Sequence, residues 1–236
     1  MLALGLAVLP LASGCGSNPF NPPVDDGGGL PIDTPMNDTP QNTMTRFERT
    51  YEKQVLDQYE LLFTSNFRFT FSSQSDPTLV NLYGNNWGKD DEIESTSHLF
   101  DGFTNELGTF VPGASDIALT LTGAQFIDDP SRPDSGAYYK YVIVPNVTLE
   151  LTIPNSDGYI IAAPQDFYLV RGDVAGRDGN LDPAQQATAD RWYIWAWKDK
   201  STLTGAVSPR LASLSTGGRP VSLTWGNLKA NYVNAP

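Results

Sequence analysis

Hydrophobic side chains recur at helical spacing between residues 39 and 62. Successive members of this set are three or four residues apart, which places them on one stripe of an α-helix. Thr39 can accept hydrogen bonds from the free N–H groups of the first turn, and Pro40 suits that turn because it has no N–H to leave unpaired. The pattern predicts a long amphipathic helix whose buried stripe consists of Met44, Phe47, Tyr51, Val55, Tyr59 and Leu62.

The hydrophobic period changes from that of a helix to that of a strand after residue 66. Phe67, Phe69 and Phe71 alternate with polar side chains, which predicts a half-buried strand with one aromatic face. An amphipathic helix that leads into a strand with a matching apolar face predicts an α+β domain.

Further elements are predicted along the rest of the chain. The acidic run 90–92 suits the start of a helix, because negative side chains stabilise the positive end of the helix dipole. The apolar face of that helix is expected to hold Ile93, Ser97, Phe100 and Phe103, with Leu99 beside it. Alternating patterns predict strands near residues 117–121, 138–153, 159–173 and 191–199.

Two local signals refine the predicted strands. Pro145 cannot donate a ladder hydrogen bond, so it predicts a bulge or an edge within the second of them. The segment Asn155-Ser-Asp-Gly158 predicts the hairpin turn that follows.

The segment V-L-D-Q-Y-E-L-L-F and the strand F-R-F-T-F resemble the opening of the nuclear-transport-factor-2-like superfamily, which includes ketosteroid isomerase and SnoaL-like proteins. The order of the later elements and the W-x-I pattern at 192–194 agree, so the resemblance covers residues 39–200. It implies N-terminal amphipathic helices packed in a curved, mostly antiparallel sheet, a cone-like, cystatin-like roll. The open end of such a cone is often a ligand pocket.

The helical stripe and the aromatic strand face are expected to meet inside this cone. A pocket lined by such residues would suit a small apolar ligand. We predict that the lining residues are Phe47, Tyr51, Phe69, Phe71 and Trp192.

Catalytic groups known from the superfamily are missing at the matching positions. The resemblance implies a helix tyrosine and an aspartate after the first strand in the isomerase, and here Phe47 and Phe71 occupy those positions. The dehydratases use paired histidines, whereas His98 is the only histidine of this chain. A non-catalytic binding or assembly module without a cofactor is therefore favoured. The alternatives are a pocket enzyme of isomerase, dehydratase or hydrolase type with unidentified acid–base residues, and a purely structural dimer. A buried, pKa-shifted carboxylate in the cone would favour the enzyme.

The N-terminal residues resemble a bacterial lipoprotein signal. Residues 2–9 are apolar, too few to span a bilayer, and L-A-S-G-C follows them. We expect residues 1–14 to be a signal peptide and Cys15 to carry the lipid that attaches the protein to a membrane. This predicts a cell-envelope location, with the outer membrane or cell surface favoured over the inner membrane. The alternative is an ordinary cleaved signal with an incidental cysteine.

Residues 15–38 are predicted to be a disordered tether. They are rich in glycine and proline and contain too few apolar side chains to form a core. A flexible segment of this length would reach roughly 25 Å from its anchor. The tether would therefore hold the globular domain off the membrane.

The net charge and the cysteine content exclude some kinds of partner and of site. The formal net charge is −12, and such an acidic chain argues against binding to nucleic acid. Cys15 is the only cysteine, so the chain has no internal disulfide and no cysteine zinc site.

One segment resembles the start of a calcium loop. Oxygen-bearing side chains alternate at Asp178, Asn180 and Asp182. Pro183 and Ala189 depart from the loop pattern, at the places where glycine and a bidentate glutamate are needed. A surface loop rich in turn-forming residues is favoured, and calcium is the weaker alternative.

The last predicted strand has aromatic residues on both faces. Trp192 and Ile194 are expected to face the helix, and Tyr193, Trp195 and Trp197 the convex side of the sheet. Three large aromatics are too apolar to remain in water together. We expect residues 201–236, a C-terminal extension, to fold back over them, with a homodimer as the alternative cover.

Overall fold

The computed structural model describes residues 33–73, 77–132, 136–156, 158–172, 190–202 and 221–233. The predicted signal peptide, Cys15 and most of the tether lie outside the described residues. The calcium candidates Asp178, Asn180 and Asp182 also lie outside them.

The predicted long helix is two helices, α1 (Pro40–Glu52) and α2 (Leu56–Glu60). Helix α1 starts as predicted, because the Thr39 side chain accepts a hydrogen bond from the Asn42 N–H at 3.0 Å. A continuous helix is wrong, since Gln54 has a left-handed φ of 56° that ends the first one. The predicted apolar stripe is still buried despite the break: all of its members except the half-buried Val55 lie in the core.

The sheet is mostly antiparallel and curves around the helices, which confirms the predicted α+β fold. Its main strand order is β2 (Asn86–Trp87), β1 (Phe63–Thr70), β9 (Trp192–Asp199), β8 (Tyr159–Arg171), β7 (Tyr139–Thr152) and β5 (Asp116–Thr122). In addition, β6 (Gln125–Asp128) pairs with β7 and β10 (Val221–Ser222) pairs with β8. Strand β1 pairs with β9 in parallel, as does β10 with β8. The long strands are β1 (Phe63–Thr70), β5 (Asp116–Thr122), β7 (Tyr139–Thr152), β8 (Tyr159–Arg171) and β9 (Trp192–Asp199).

Shorter elements complete the described fold. Two-residue strands β3 and β4 form a separate hairpin. Pro145 lies at a shift in the pairing of β7 with β8, which confirms the predicted bulge. The remaining elements are α3 (Pro77–Tyr83), β2 (Asn86–Trp87), α4 (Lys89–Asp101), β3 (Phe103–Thr104), β4 (Phe110–Val111), β6 (Gln125–Asp128), β10 (Val221–Ser222) and α5 (Trp225–Asn231).

Helix α4 begins in the acidic run as predicted but buries a different face. The Gly88 N–H donates to the Asp91 carboxylate at 2.8 Å, which fixes the helix start. Ile93 and Ser97 are only half-buried. The buried face instead comprises Glu92, Ser95, Thr96, Leu99 and Phe100.

The predicted orientation of Trp197 is wrong, because β9 contains a bulge. Leu169 of β8 pairs with Ile194 and Tyr168 pairs with Ala196, so Trp195 is an extra residue in the ladder. The extra residue reverses the alternation beyond it. Trp197 therefore points into the core, where none of its surface is exposed.

The described part of the C-terminal extension also differs from the prediction. Leu223, Trp225, Leu228 and Tyr232 are buried in the main core and do not pack on the convex face. The apolar face of α5 faces the rings of α1 and β9, with Trp225 5.8 Å from Tyr51 between ring centroids.

On the convex face, Tyr193 packs in a small separate cluster with Tyr139 and Val170. The guanidinium of Arg132 lies 4.2 Å from the Tyr139 ring and 5.3 Å from the Trp195 ring. The loop before β7 thus provides cover that the sequence prediction assigned to the extension.

Candidate functional site

Aromatic rings fill the space between α1 and the sheet. The Phe47 ring centroid lies 5.3 Å from that of Phe167 and 5.4 Å from that of Trp197. Both contacts are edge-to-face, the geometry that aromatic quadrupoles prefer. Phe47 has no exposed surface, so the chain's own side chains occupy this part of the cone.

All five predicted pocket residues are buried, but the structure does not bring all of them together. The ring centroids of Phe47 and Tyr51 lie 6.2 Å apart, and those of Phe69 and Phe71 lie 5.4 Å apart. Trp197 joins these pairs, since its ring lies 5.4 Å from Phe47 and 5.1 Å from Phe69. A ligand-binding role for these residues stays a prediction.

The fifth predicted residue, Trp192, lies at the start of β9. Its backbone N–H donates to the Asn37 carbonyl at 2.7 Å, and the Asn37 side-chain amide donates back to the Trp192 carbonyl at 2.7 Å. This reciprocal pair ties the segment before α1 to the sheet.

Two buried charges form an ion pair between α4 and α5. Glu92 has no exposed surface, and Lys229 is 2% exposed. The Lys229 ammonium donates to Glu92 Oε1, and the Tyr59 hydroxyl donates to the same oxygen at 2.7 Å. Such a pair is retained in a core only when each charge has a partner, because an isolated buried charge is strongly destabilising.

Aromatic rings surround the ammonium group of Lys229. Its Nζ lies 4.4 Å from the centroid of Trp197, 4.9 Å from Phe69 and 5.7 Å from Trp225. These distances are within the range of cation–π attraction, which is stronger where water is excluded. We call the residues around this ammonium the Glu92 cage; it comprises Glu92, Tyr59, Phe69 and Trp197.

Burial dominates the protonation behaviour of the site. It lowers the pKa of Lys229, while the nearby charges of Glu92 and Asp199 oppose that change. Burial, followed by the negative charge of Glu92, raises the pKa of Tyr59 and of Tyr51 well above the usual tyrosine range. Both phenols are therefore neutral at physiological pH, and Tyr59 can act as a hydrogen-bond donor.

A second polar chain links the end of β9 to the first turn of α5. The Trp197 indole donates to the Gln165 side-chain oxygen at 2.7 Å, and the Gln165 amide donates to Asp199 Oδ1 at 2.9 Å. The other Asp199 oxygen accepts from the Gly226 N–H at 3.2 Å. These bonds satisfy buried polar groups and fix where α5 enters the cone.

Helix α4 holds the other end of α5. Ser95 Oγ donates to the Lys229 carbonyl at 3.0 Å, and His98 Nδ1 donates to the Tyr232 carbonyl at 2.7 Å. The His98 ring stacks on Phe103 with centroids 4.2 Å apart. His98 thus contacts the carbonyl of the residue that caps α5 and one aromatic ring.

A groove of about 260 Å³ lies at the ends of β1 and β9. Phe71 is the one predicted pocket residue that lines it, together with polar residues of 70–73 and 198–202. Ser72 Oγ donates to the Ser201 carbonyl at 2.6 Å across the groove floor. The groove is thus more polar than the apolar pocket that the sequence predicts.

Sequence reasoning missed both residues of the buried ion pair, Glu92 and Lys229. Glu92 was assigned to the helix dipole, although it lies seven residues before Leu99 and so shares its face. Lys229 lies four residues after Trp225 and three before Tyr232, within an apolar stripe. A charge inside an apolar stripe was the signal that could have identified each of them.

Metal ligands and membrane-spanning helices were considered only for the described residues of the chain. No group of three or more histidine, cysteine, aspartate or glutamate residues in them is arranged to hold a metal ion. Among the helices that the structure describes, none has the length and apolarity needed to cross a bilayer.

The helices packed in a curved, mostly antiparallel sheet form the arrangement that the resemblance implies. No family model matches the chain, and no curated protein matches it in sequence. Solved structures with a similar arrangement exist, at identities that bear on the fold alone.

Three of these structures illustrate the likeness. A proposed aromatic ring hydroxylase from Novosphingobium aromaticivorans has 11% identity and a TM-score of 0.47, covering 73% of this chain and 93% of its own. A proposed scytalone dehydratase from the same organism has 10% identity and a TM-score of 0.44, covering 68% and 80%. A nuclear-transport-factor-2-like protein from Salmonella enterica has 10% identity and a TM-score of 0.42, covering 70% and 90%. At these scores the likeness carries no argument about the site.

Proposed function

We propose that this protein is an exported, lipid-anchored protein of the bacterial cell envelope whose cone-shaped domain is a non-catalytic binding or assembly module. One observation carries the non-catalytic part: Lys229 and Tyr59 of the same chain already engage the buried Glu92 carboxylate. A general base must reach the proton that it removes from a substrate. Glu92 is instead enclosed by the chain's own side chains.

The sequence supports the location. An apolar segment, L-A-S-G-C and a glycine- and proline-rich stretch follow one another before the first helix. In this order they suit a signal peptide, a lipidated Cys15 and a tether that leaves the domain free of the membrane surface. The outer membrane or the cell surface is the proposed site of attachment.

Lipid labelling tests this proposal directly. In cells fed a fatty-acid analogue, the wild-type protein should become labelled and fractionate with membranes, whereas Cys15→Ser should be unlabelled and soluble. Ser17→Ala, two residues away, should behave like the wild type. An unlabelled wild-type protein in the soluble fraction would overturn the envelope assignment.

The partners of the domain are proposed from its sequence. We propose a small apolar ligand or a second copy of the chain, together with the membrane through the lipid. Native mass spectrometry of the full protein distinguishes these, because a ligand adds a small mass and a homodimer doubles it. A bare monomer at micromolar concentration would contradict both.

A pocket enzyme is the second candidate, and the pairing of Tyr59 with Glu92 favours it. A tyrosine hydroxyl and a carboxylate 2.7 Å apart are groups that acid–base chemistry uses. This candidate requires that substrates reach Glu92. It predicts that Glu92→Gln abolishes a turnover that the wild type shows in an isomerase, dehydratase or hydrolase screen.

A further inference from the structure

The Glu92 cage has the components of a receptor for an organic cation. A fully buried carboxylate provides the counter-charge, and the rings of Trp197 and Phe69 provide faces for cation–π contact. These groups come from α2, α4, β1 and β9. The cation comes from elsewhere, since Lys229 lies on α5, 137 positions after Glu92 in the chain.

The carboxylate has unused hydrogen-bonding capacity. Glu92 Oε1 accepts from both Lys229 and Tyr59, whereas Glu92 Oε2 is buried and has no hydrogen-bond partner among the described residues. Buried carboxylate oxygens are normally paired, because an unpaired one loses its hydration without compensation. With Oε2 unpaired, the hydrogen bonds to Oε1 are what compensates the burial of this charge, and among the described residues Lys229 supplies the cationic one.

The geometry selects one class of cation. A primary ammonium carries three N–H donors on a narrow stem, which matches a single carboxylate set behind aromatic walls. A quaternary ammonium has no N–H for Glu92, and a guanidinium is a wide planar fork that carries five donors. The chain's own occupant is a primary ammonium on an alkyl stem.

We propose that the Glu92 cage is a binding site for a primary alkylammonium group, and that Lys229 of α5 is its built-in occupant. This inference goes beyond the proposed function, because the group bound in the intact protein belongs to the chain itself. Helix α5 then acts as a ligand attached through the backbone: Trp225, 4.8 Å from Trp197, closes the aromatic wall, and Lys229 supplies the charge.

Chemical rescue of Lys229→Ala tests the site. This substitution keeps Cβ and removes a three-carbon ammonium, so n-propylammonium is the matched probe. We expect it to raise the unfolding temperature of the variant saturably, by about 5–10 °C at 100 times its dissociation constant. The wild type, whose cage is occupied, should show no saturable rise.

Two controls separate recognition of charge from filling of space. n-Propanol has a similar size without the charge, and it should have much less effect on Lys229→Ala. The double variant Lys229→Ala/Glu92→Gln should lose the response to n-propylammonium, because the counter-charge is gone. Equal effects of amine and alcohol, or no effect of either, would overturn the ammonium site.

A refolding measurement covers the case in which Lys229→Ala does not fold by itself. The variant is diluted from urea with n-propylammonium, with n-propanol or with buffer, and tryptophan fluorescence is compared with that of the wild type. Recovery with the amine alone supports the site, and equal recovery in all three overturns it. The result is independent of Cys15 labelling, so failure here and failure of the envelope assignment are distinguishable.

Discussion

Each face of the sheet has a cation–π contact between a lysine and an aromatic ring, one buried and one partly exposed to water. Inside the cone, the Lys229 ammonium lies 4.4 Å from the Trp197 ring; on the convex face, the Lys198 ammonium lies 4.6 Å from the Tyr168 ring. Lys229 is buried and Lys198 is only half-buried. The ring distance is nearly equal, so what differs is access to water.

That difference explains the surroundings of each lysine. Lys198 keeps water on one side and needs only the Tyr168 hydroxyl, 3.0 Å away. Lys229 has lost its hydration, and a cation–π contact alone does not replace it, so a carboxylate had to be buried with it. The comparison shows that solvent access, more than ring geometry, sets how much support a charge requires.

Removing an inner ring should give the largest effect. Phe47→Ala is expected to lower the free energy of unfolding by about 3–5 kcal/mol, because it leaves a cavity among packed rings. Phe110→Ala, at a side chain that is 64% exposed, is the matched control and should change it by less than about 0.5 kcal/mol. Urea unfolding measures both, and equal losses would place Phe47 outside the core.

Removing the inner counter-charge should come next. Glu92→Gln keeps the size of the side chain and an oxygen acceptor, but it leaves Lys229 buried without a negative partner. We expect a loss of about 2–3 kcal/mol by urea unfolding at neutral pH. Glu94→Gln, on a half-buried side chain of the same helix, is the control. A neutral Glu92→Gln would mean that the ion pair contributes nothing.

The buried tyrosines Tyr51 and Tyr59 should make the free energy of unfolding depend on pH in the alkaline range. Burial raises the pKa of Tyr59, so above about pH 10 the unfolded chain releases a proton that the folded chain retains. The folded state then binds more protons, and stability falls as pH rises, by about 1.4 kcal/mol per pH unit for each such tyrosine. Tyr59→Phe should reduce the loss of stability between pH 10 and 11 by about 1 kcal/mol, because half of the unfolded-state phenols are already ionised at pH 10. An unchanged slope would contradict the assignment.

The smallest effect is expected on the convex face. Lys198→Ala removes a cation that water already supports, so the loss should be about 0.5–1 kcal/mol. Lys53→Ala, at an exposed lysine after α1, controls for the change in net charge. A loss as large as that of Glu92→Gln would show that the two faces do not differ as described.

Local periodicity was enough to predict most of the elements. The start of α1, the aromatic face of β1 and the bulge at Pro145 all follow from residues close together in the sequence. These features were predictable because neighbouring residues determine caps, alternation and proline effects.

The features that the sequence did not reveal depend on single residues or on distant partners. Gln54 ends α1, and the extra residue Trp195 reverses the faces of β9. Neither position is a glycine or a proline, so the sequence shows no break there. Glu92 pairs with Lys229 and so joins helices α4 and α5. In the sequence, each of these residues is one charged position on the otherwise uncharged buried face of its helix. Only the tertiary fold shows that these two exceptions meet.

The position of Lys229 also sets the order in which the core can be completed during synthesis. The ribosome must add 137 residues after Glu92 before its partner exists. At elongation rates of about 5–20 residues per second, that interval is roughly 7 to 27 s. Until then the cone lacks its closing element, so α5 is the last described helix that can seal the aromatic lining.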